Sequence, residues 1–210
     1  MKAVIKAVAC AVAVFASAAQ ATPLLTNANF GSGATVVTFN EVSLTSGTAV
    51  TNQFASYGLT FASNGSPFAV GGGNYASAAP VAGSYLDSFS GGGSASVYDI
   101  VFSNDVTAAG AFWEFNAPTT ATFTAMNNGV AVESFVYSNA DCCYSAEFVG
   151  FSGISFDTLR VSSITGTHFY MDAVTFEGTS VPEPSSVALL GIAALGLAAT
   201  RRRKQARKAV

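Results

Sequence analysis

Thr119-Thr120-Ala121-Thr122-Phe123-Thr124-Ala125-Met126, then Asn127-Asn128-Gly129, then Val130-Ala131-Val132-Glu133-Ser134-Phe135-Val136-Tyr137 is the stretch that decides the fold. Both outer runs are rich in β-branched and aromatic residues that alternate with small or polar ones, the pattern of half-buried strands. Asparagine and glycine tolerate positive φ, so the three residues between them predict a hairpin turn. The same habit recurs on either side. Thr35 to Glu41 alternates around Val37 and Phe39, Ser94 to Ser103 around Val97, Ile100 and Phe102, and Ala111 to Phe115 and Phe169 to Phe176 follow suit. No stretch between them carries ten residues of helical periodicity bounded by caps. The expectation is an antiparallel all-β domain, a β-sandwich or jelly roll. The glycine runs Gly71-Gly72-Gly73 and Gly91-Gly92-Gly93 read as loops within that one domain, Thr22 to Ser180.

Half of the 210 residues are apolar and only 10% are charged, well below the quarter or so of an ordinary soluble domain. The cations sit at the two ends: Lys2 and Lys6, then Arg201, Arg202, Arg203, Lys204, Arg207 and Lys208. Between Thr22 and Ser180 eleven carboxylates face one cation, Arg160, which leaves the body ten charges negative. Nucleic acid is excluded as a partner, because phosphate neutralisation needs clustered lysine and arginine.

Residues 1–21 join a short cationic start, an apolar run from Val8 to Ala19 and a small-residue Ala19-Gln20-Ala21. That is the form of a cleavable secretory signal, with the cut expected between Ala21 and Thr22. The apolar run is too short to span about 30 Å of hydrocarbon. Cys10 lies inside it and not at a lipid-attachment junction. At the other end Val181-Pro182-Glu183-Pro184 interrupts regular structure. Ser185 to Thr200 follows without a charge, and Arg201-Arg202-Arg203-Lys204 comes next. As a helix, Ser185 to Thr200 would be about 24 Å long, a short span helped by snorkelling arginines. The positive-inside rule keeps the arginine cluster cytoplasmic and the body outside the inner membrane.

Proline-glutamate-proline, a short apolar helix and an arginine cluster, in that order over residues 181–210, resemble the PEP-CTERM sorting signal. The resemblance rests on Pro182, Glu183, Pro184, Arg201, Arg202 and Arg203. It implies export through the Sec translocon and transient anchoring in the inner membrane with the body in the periplasm. Recognition by an exosortase follows, with delivery to the cell surface or the exopolysaccharide matrix of a biofilm. A simple tail-anchored periplasmic protein is the competing reading. Two patches of the body are also similar to that family: Gly47-Thr48-Ala49-Val50-Thr51-Asn52-Gln53-Phe54-Ala55-Ser56-Tyr57-Gly58-Leu59-Thr60-Phe61, and Phe169-Tyr170-Met171-Asp172-Ala173-Val174-Thr175-Phe176. The resemblance implies a jelly-roll body like a carbohydrate module. In such modules acidic residues on the first and last strands hold a structural calcium, and here Glu41 and Asp172 would do so with amide oxygens from Asn40 and Asn52. Equally, Glu41 is solvated at a strand end and Asp172 caps a turn.

Other chemistry is thin. His168 is the one histidine, and at a strand entry it reads as a turn or hydrogen-bonding residue. No serine stands in a Gly-x-Ser-x-Gly elbow, and the body has no lysine to activate a nucleophile. Paired carboxylates could hydrolyse sugars, yet nothing in the spacing pairs two of the eleven. Cys142 and Cys143 form a strained vicinal disulfide, stay reduced or bridge to a second chain. Tyr75 and Tyr85, in glycine-rich loops, and Trp113 are either core or a sugar-stacking platform. The expected role is therefore non-enzymatic: structural or adhesive, with weak carbohydrate contact. A secreted glycoside hydrolase or other polysaccharide-active enzyme is the rival, and inert packing in the matrix is a third reading.

Overall fold

A computed structural model describes residues 22–71, 83–88, 96–140, 146–162, 164 and 169–178. Eleven strands run through them: β1 (Thr22–Leu24), β2 (Thr35–Val37), β3 (Ala49–Val50), β4 (Leu59–Ser63), β5 (Phe68–Gly71), β6 (Tyr85–Asp87), β7 (Val97–Phe115), β8 (Thr119–Asn127), β9 (Val130–Asn139), β10 (Ala146–Ser162) and β11 (Phe169–Gly178). They form one antiparallel sheet in the order β3-β5-β6-β11-β7-β10-β8-β9, with β1 added on β10, β2 on β11 and β4 on β7. The antiparallel all-β class expected from the sequence is the class observed. Single 3₁₀ turns, Asn27–Asn29 and Ala55–Tyr57, are the helical pieces among the described residues. No described helix is long and apolar enough to cross a membrane. Residues 1–21, Tyr75, Cys142, Cys143, His168 and everything from Thr179 onward, Pro182-Glu183-Pro184 and the arginines included, lie outside the described residues.

The hairpin forms where the sequence places it. Asn127 pairs with Val130, and Asn128 and Gly129 have φ of 50° and 78°, the left-handed pair that a two-residue turn requires. Asp157 secures it by accepting the Asn128 N–H at 2.7 Å. Elsewhere the boundaries move. Val97 to Ser103, from the run read as Ser94 to Ser103, and Ala111 to Phe115, read as separate strands, are parts of β7, while 94 and 95 lie outside the described residues. Thr35 to Glu41 shortens to β2, because Phe39 turns to φ 62° and packs edge-on against Phe54 at 5.2 Å.

At 19 and 17 residues β7 and β10 exceed the usual strand, and each serves two halves of the sheet. Val97 to Val101 of β7 lies between β4 and the Thr158 to Ser162 end of β10, which continues to β8 and β9. This is the hairpin half. Val106 to Phe115 lies between β11 and the Ala146 to Ser152 end of β10, with β6, β5, β3, β2 and β1 beyond. This is the β11 half. Between the halves both long strands lose register: β10 around Gly153, at φ 81°, and β7 through the exposed Ser103-Asn104-Asp105. Such irregularities bend a sheet.

The bend brings aromatic residues of the two halves together. Trp113 meets Phe123 at 5.3 Å, Phe135 meets Phe151 at 5.0 Å, Tyr98 meets Phe169 at 5.4 Å and Phe61 meets Phe68 at 5.7 Å. These residues belong to one continuous core, and each fully buried phenylalanine contributes about 1.5–3 kcal/mol by leaving water. Trp113 is wholly buried and its Nε1–H donates to the Val149 carbonyl at 3.2 Å, so its one polar atom is satisfied.

Candidate functional site

The two halves differ in their second faces. In β7 the side chains of Ala109, Ala111, Trp113 and Phe115 enter the core, so those of Phe112 and Glu114 point the other way. Register extends that outward face. Tyr170 of β11 stands opposite Glu114 on one side and Asp87 on the other, Asp172 opposite Phe112, and Phe148 of β10 opposite Phe112. Tyr85, Tyr170, Glu114 and Asp172 of this face are 2%, 5%, 2% and 1% exposed.

Close packing explains that burial. Tyr85 and Tyr170 meet edge to face at 5.2 Å, as do Phe112 and Phe148, and Phe30 closes on Phe148 at 5.7 Å. The Tyr85 ring lies directly over Gly71, where a Cβ would sit 1.9 Å from the ring. Glu177 of β11 accepts the Gly31 N–H and so holds the segment that carries Phe30. Asp172 anchors a local irregularity of β11: the register against β7 slips between Asp172 and Thr175, Ala173 takes φ 49°, and the Asp172 carboxylate accepts the Ala173 N–H at 2.6 Å. Thr175 adds a hydrogen bond from its hydroxyl to the Ala173 carbonyl at 3.1 Å.

The body's one cation is committed elsewhere. Arg160 stands opposite Asp99 in the hairpin half and grips it through two bonds, Nε at 2.8 Å and an Nη at 2.9 Å. That carboxylate holds the guanidinium above its usual range, against the opposing effect of burial. Tyr137 of β9 donates to the Glu147 carboxylate of β10, and burial together with that bond raises its phenol above the ordinary range.

The residues singled out from the sequence separate into three groups. Glu41 and Asn40 are exposed at the end of β2 and both fold back on Thr38: Glu41 Oε1 accepts the Thr38 N–H at 2.8 Å and its hydroxyl at 3.0 Å, and Asn40 Nδ2 donates to the Thr38 carbonyl at 3.0 Å. Asn40 Oδ1 also accepts the Ser84 N–H at 3.0 Å. β2, the strand that the sequence reads as first, is in fact second after β1 and pairs with β11, Val37 opposite Val174; Asp172 is buried and Asn52 is exposed in a separate turn. Trp113 and Tyr85 correct the stacking expectation. Both rings are buried, Tyr85 in a strand and not a loop, and neither presents a face to solvent. Tyr75, Cys142, Cys143 and the sorting residues fall outside the described residues.

The Gly47 to Phe61 patch proves to be a folding device. Gln53 accepts the N–H groups of Thr51 and Asn52 at 2.7 and 3.0 Å and donates to the Ala49 carbonyl at 2.8 Å, while Phe54 is fully buried and Gly58 turns left-handed at φ 88°. Reading the sequence missed Glu114, Asp87 and Tyr170. The available signal was Trp113-Glu114-Phe115, a carboxylate within a strand too apolar to be half-exposed.

No curated protein matches the chain. Among solved structures it is similar to an arabinose-bound MgGH51 α-L-arabinofuranosidase, at 14% identity and a TM-score of 0.45, over 70% of this chain and 27% of that one. Residues 180–204 match the model of the PEP-CTERM protein-sorting motif, and that motif implies export and processing by an exosortase on the way to the cell surface. Two residues after β11 ends, then, begins the segment that identifies the chain as a PEP-CTERM domain-containing protein.

Proposed function

We propose that the body is a β-sandwich of jelly-roll type and a non-enzymatic structural or adhesive component of the cell surface or exopolysaccharide matrix, with weak carbohydrate contact. The observation that carries this reading is the sorting motif at 180–204, joined almost directly to a strongly anionic all-β body. The aromatic contacts that bridge the two halves of the bent sheet support the sandwich. In this reading residues 1–21 are removed at the Sec translocon and Ser185 to Thr200 anchors the chain transiently in the inner membrane. Tyr75 is the remaining sequence candidate for sugar stacking, and Tyr57, 38% exposed on the Ala55–Tyr57 turn, is a further open ring. Passing the exported protein over immobilised polysaccharides tests the idea. Retention without product supports it, whereas flow-through on every polymer leaves a matrix filler with no ligand.

One observation favours the hydrolase reading. Glu114 and Asp172 are diagonal neighbours on one face of adjacent strands, which puts two carboxylates side by side, although both are buried. Release of reducing ends, lost in Glu114→Gln, would establish it. Calcium at the β2–β11 seam, held through Asp172, Glu41, Asn40 and Asn52, remains a structural proposal, and a melting temperature unmoved by millimolar calcium would retire it.

A further inference from the structure

Most edges of the sheet are short. β1 and β2 have three residues each, β3 two and β4 five, too few backbone groups to template another strand. β9 has ten, ends the strand order and, among the described residues, pairs with β8 alone. Val130, Val132 and Val136 along it are 68%, 45% and 68% exposed. It contains no lysine, arginine or proline, the residues with which edge strands discourage pairing. Its single acidic residue is Glu133. On a body ten charges negative, this strand itself carries one of the eleven carboxylates, so like charge within the edge is confined to Glu133.

The backbone narrows the register. Pairing with β8 slips between Ala125 and Met126, which leaves Val132 as the extra residue and Glu133 to Asn139 as the regular stretch. The Ser134 N–H is taken by the adjacent Glu133 carboxylate at 3.1 Å, which places that amide on the open side, and at period two Val136 and Ser138 share its direction.

We propose that β9 pairs antiparallel with β9 of a second copy of this chain, about a two-fold axis through Val136, the centre of the regular stretch. Val136 then opposes Val136, Ser134 opposes Ser138 and Glu133 opposes Asn139. The two Glu133 residues lie six positions apart, about 20 Å, so like charges never face each other. The Ser134 amide exchanges the Glu133 carboxylate for the Ser138 carbonyl of the second copy. Two sheets become one continuous sheet, a closed isologous pair.

The test uses the full chain expressed in an exporting host and recovered after processing. Its mass by sedimentation should rise from monomer to dimer with concentration, and Val136→Lys should weaken that association by at least about tenfold, as like charges meet at the axis. Val136 is exposed, so near-ultraviolet circular dichroism should show the Val136→Lys fold intact. In a Cys142→Ser, Cys143→Ser background, Val136→Cys should give an oxidation-dependent covalent dimer, since hydrogen-bonded antiparallel partners sit about 5.5 Å apart, within disulfide reach. Ser138→Cys, whose two copies would lie about 14 Å apart, should give none. A monomer at every concentration, cross-linking at both positions alike, or association indifferent to Val136→Lys would overturn the pairing.

Discussion

The two halves of the sheet obey different rules although the same two long strands build both. In the hairpin half Tyr98, Ile100 and Phe102 of β7 are buried while the residues between them are half-exposed, and β8 alternates likewise, with Ala121, Phe123 and Ala125 inward and Thr120, Thr122 and Thr124 outward. In the β11 half Gly110 to Phe115, Phe148 to Phe151 and Phe169 to Thr175 are buried with almost no alternation. A sheet open on one face asks each strand for one good side. A sheet covered on both asks for a fit everywhere, down to individual methyl groups.

Substitution should expose that contrast most sharply at Gly150. A Cβ there would lie 2.1 Å from the Ala109 carbonyl oxygen and 2.5 Å from the Gly110 Cα, backbone atoms that cannot move aside. Gly150→Ala should cost more than about 4 kcal/mol, the range reserved for broken cores, and urea titration would find little folded protein. A midpoint near that of the parent would mean the β11 half is looser than its packing implies.

Where the halves meet at the Tyr137–Glu147 bond, a smaller effect with a pH signature is expected. The Tyr137 phenol is raised in the folded state. Its contribution is therefore complete below the ordinary phenol range, about pH 10, and is lost as pH climbs beyond it, because the unfolded chain ionises first. Tyr137→Phe should cost about 1 kcal/mol at neutral pH and flatten part of the alkaline decline in melting temperature. An unchanged alkaline slope would show that the decline comes from other groups.

Arg160→Gln comes next. The pair with Asp99 is partly open, the arginine side chain being 36% exposed, and solvent screening limits its worth to about 1 kcal/mol or less. The parent should meanwhile resist trypsin at Arg160, whose backbone is paired with Asp99 and Thr124 on either side, and digestion curves would show whether the hairpin half opens locally. Smallest of all should be Thr122→Ser on the outward face, between Val136 and Ser162, at under about 0.5 kcal/mol.

The same contrast explains what could be read in advance. The hairpin was legible because alternation and Asn128-Gly129 act locally, each residue reporting its own environment. β10 was not, since Gly150, Ser152 and Gly153 look like loop residues until the close approach of Ala109 and the bend at Gly153 are seen. Nor could Ser103-Asn104-Asp105 declare itself a bend within a strand when its composition is that of a turn. The acidic and aromatic face escaped because Asp87, Glu114 and Asp172 come from three strands far apart in the chain, joined only by register. Tyr85 misled for the opposite reason: its glycine-rich surroundings suggested exposure, whereas a glycine beneath a ring is how the ring packs flat on a sheet. The sorting motif needed no geometry, its order along the chain being its whole content.

β11 has a further consequence for timing. It is the last of the described strands to be made, yet it lies inside the sheet, hydrogen-bonded to β7 on one side and to β6 and β2 on the other. Until Gly178 has emerged, the early strands β2, β5 and β6 lack the piece that ties them to β7. Pairings of such long separation close slowly. A sheet whose keystone is the last described strand to be made closes late, whatever its early strands have already paired.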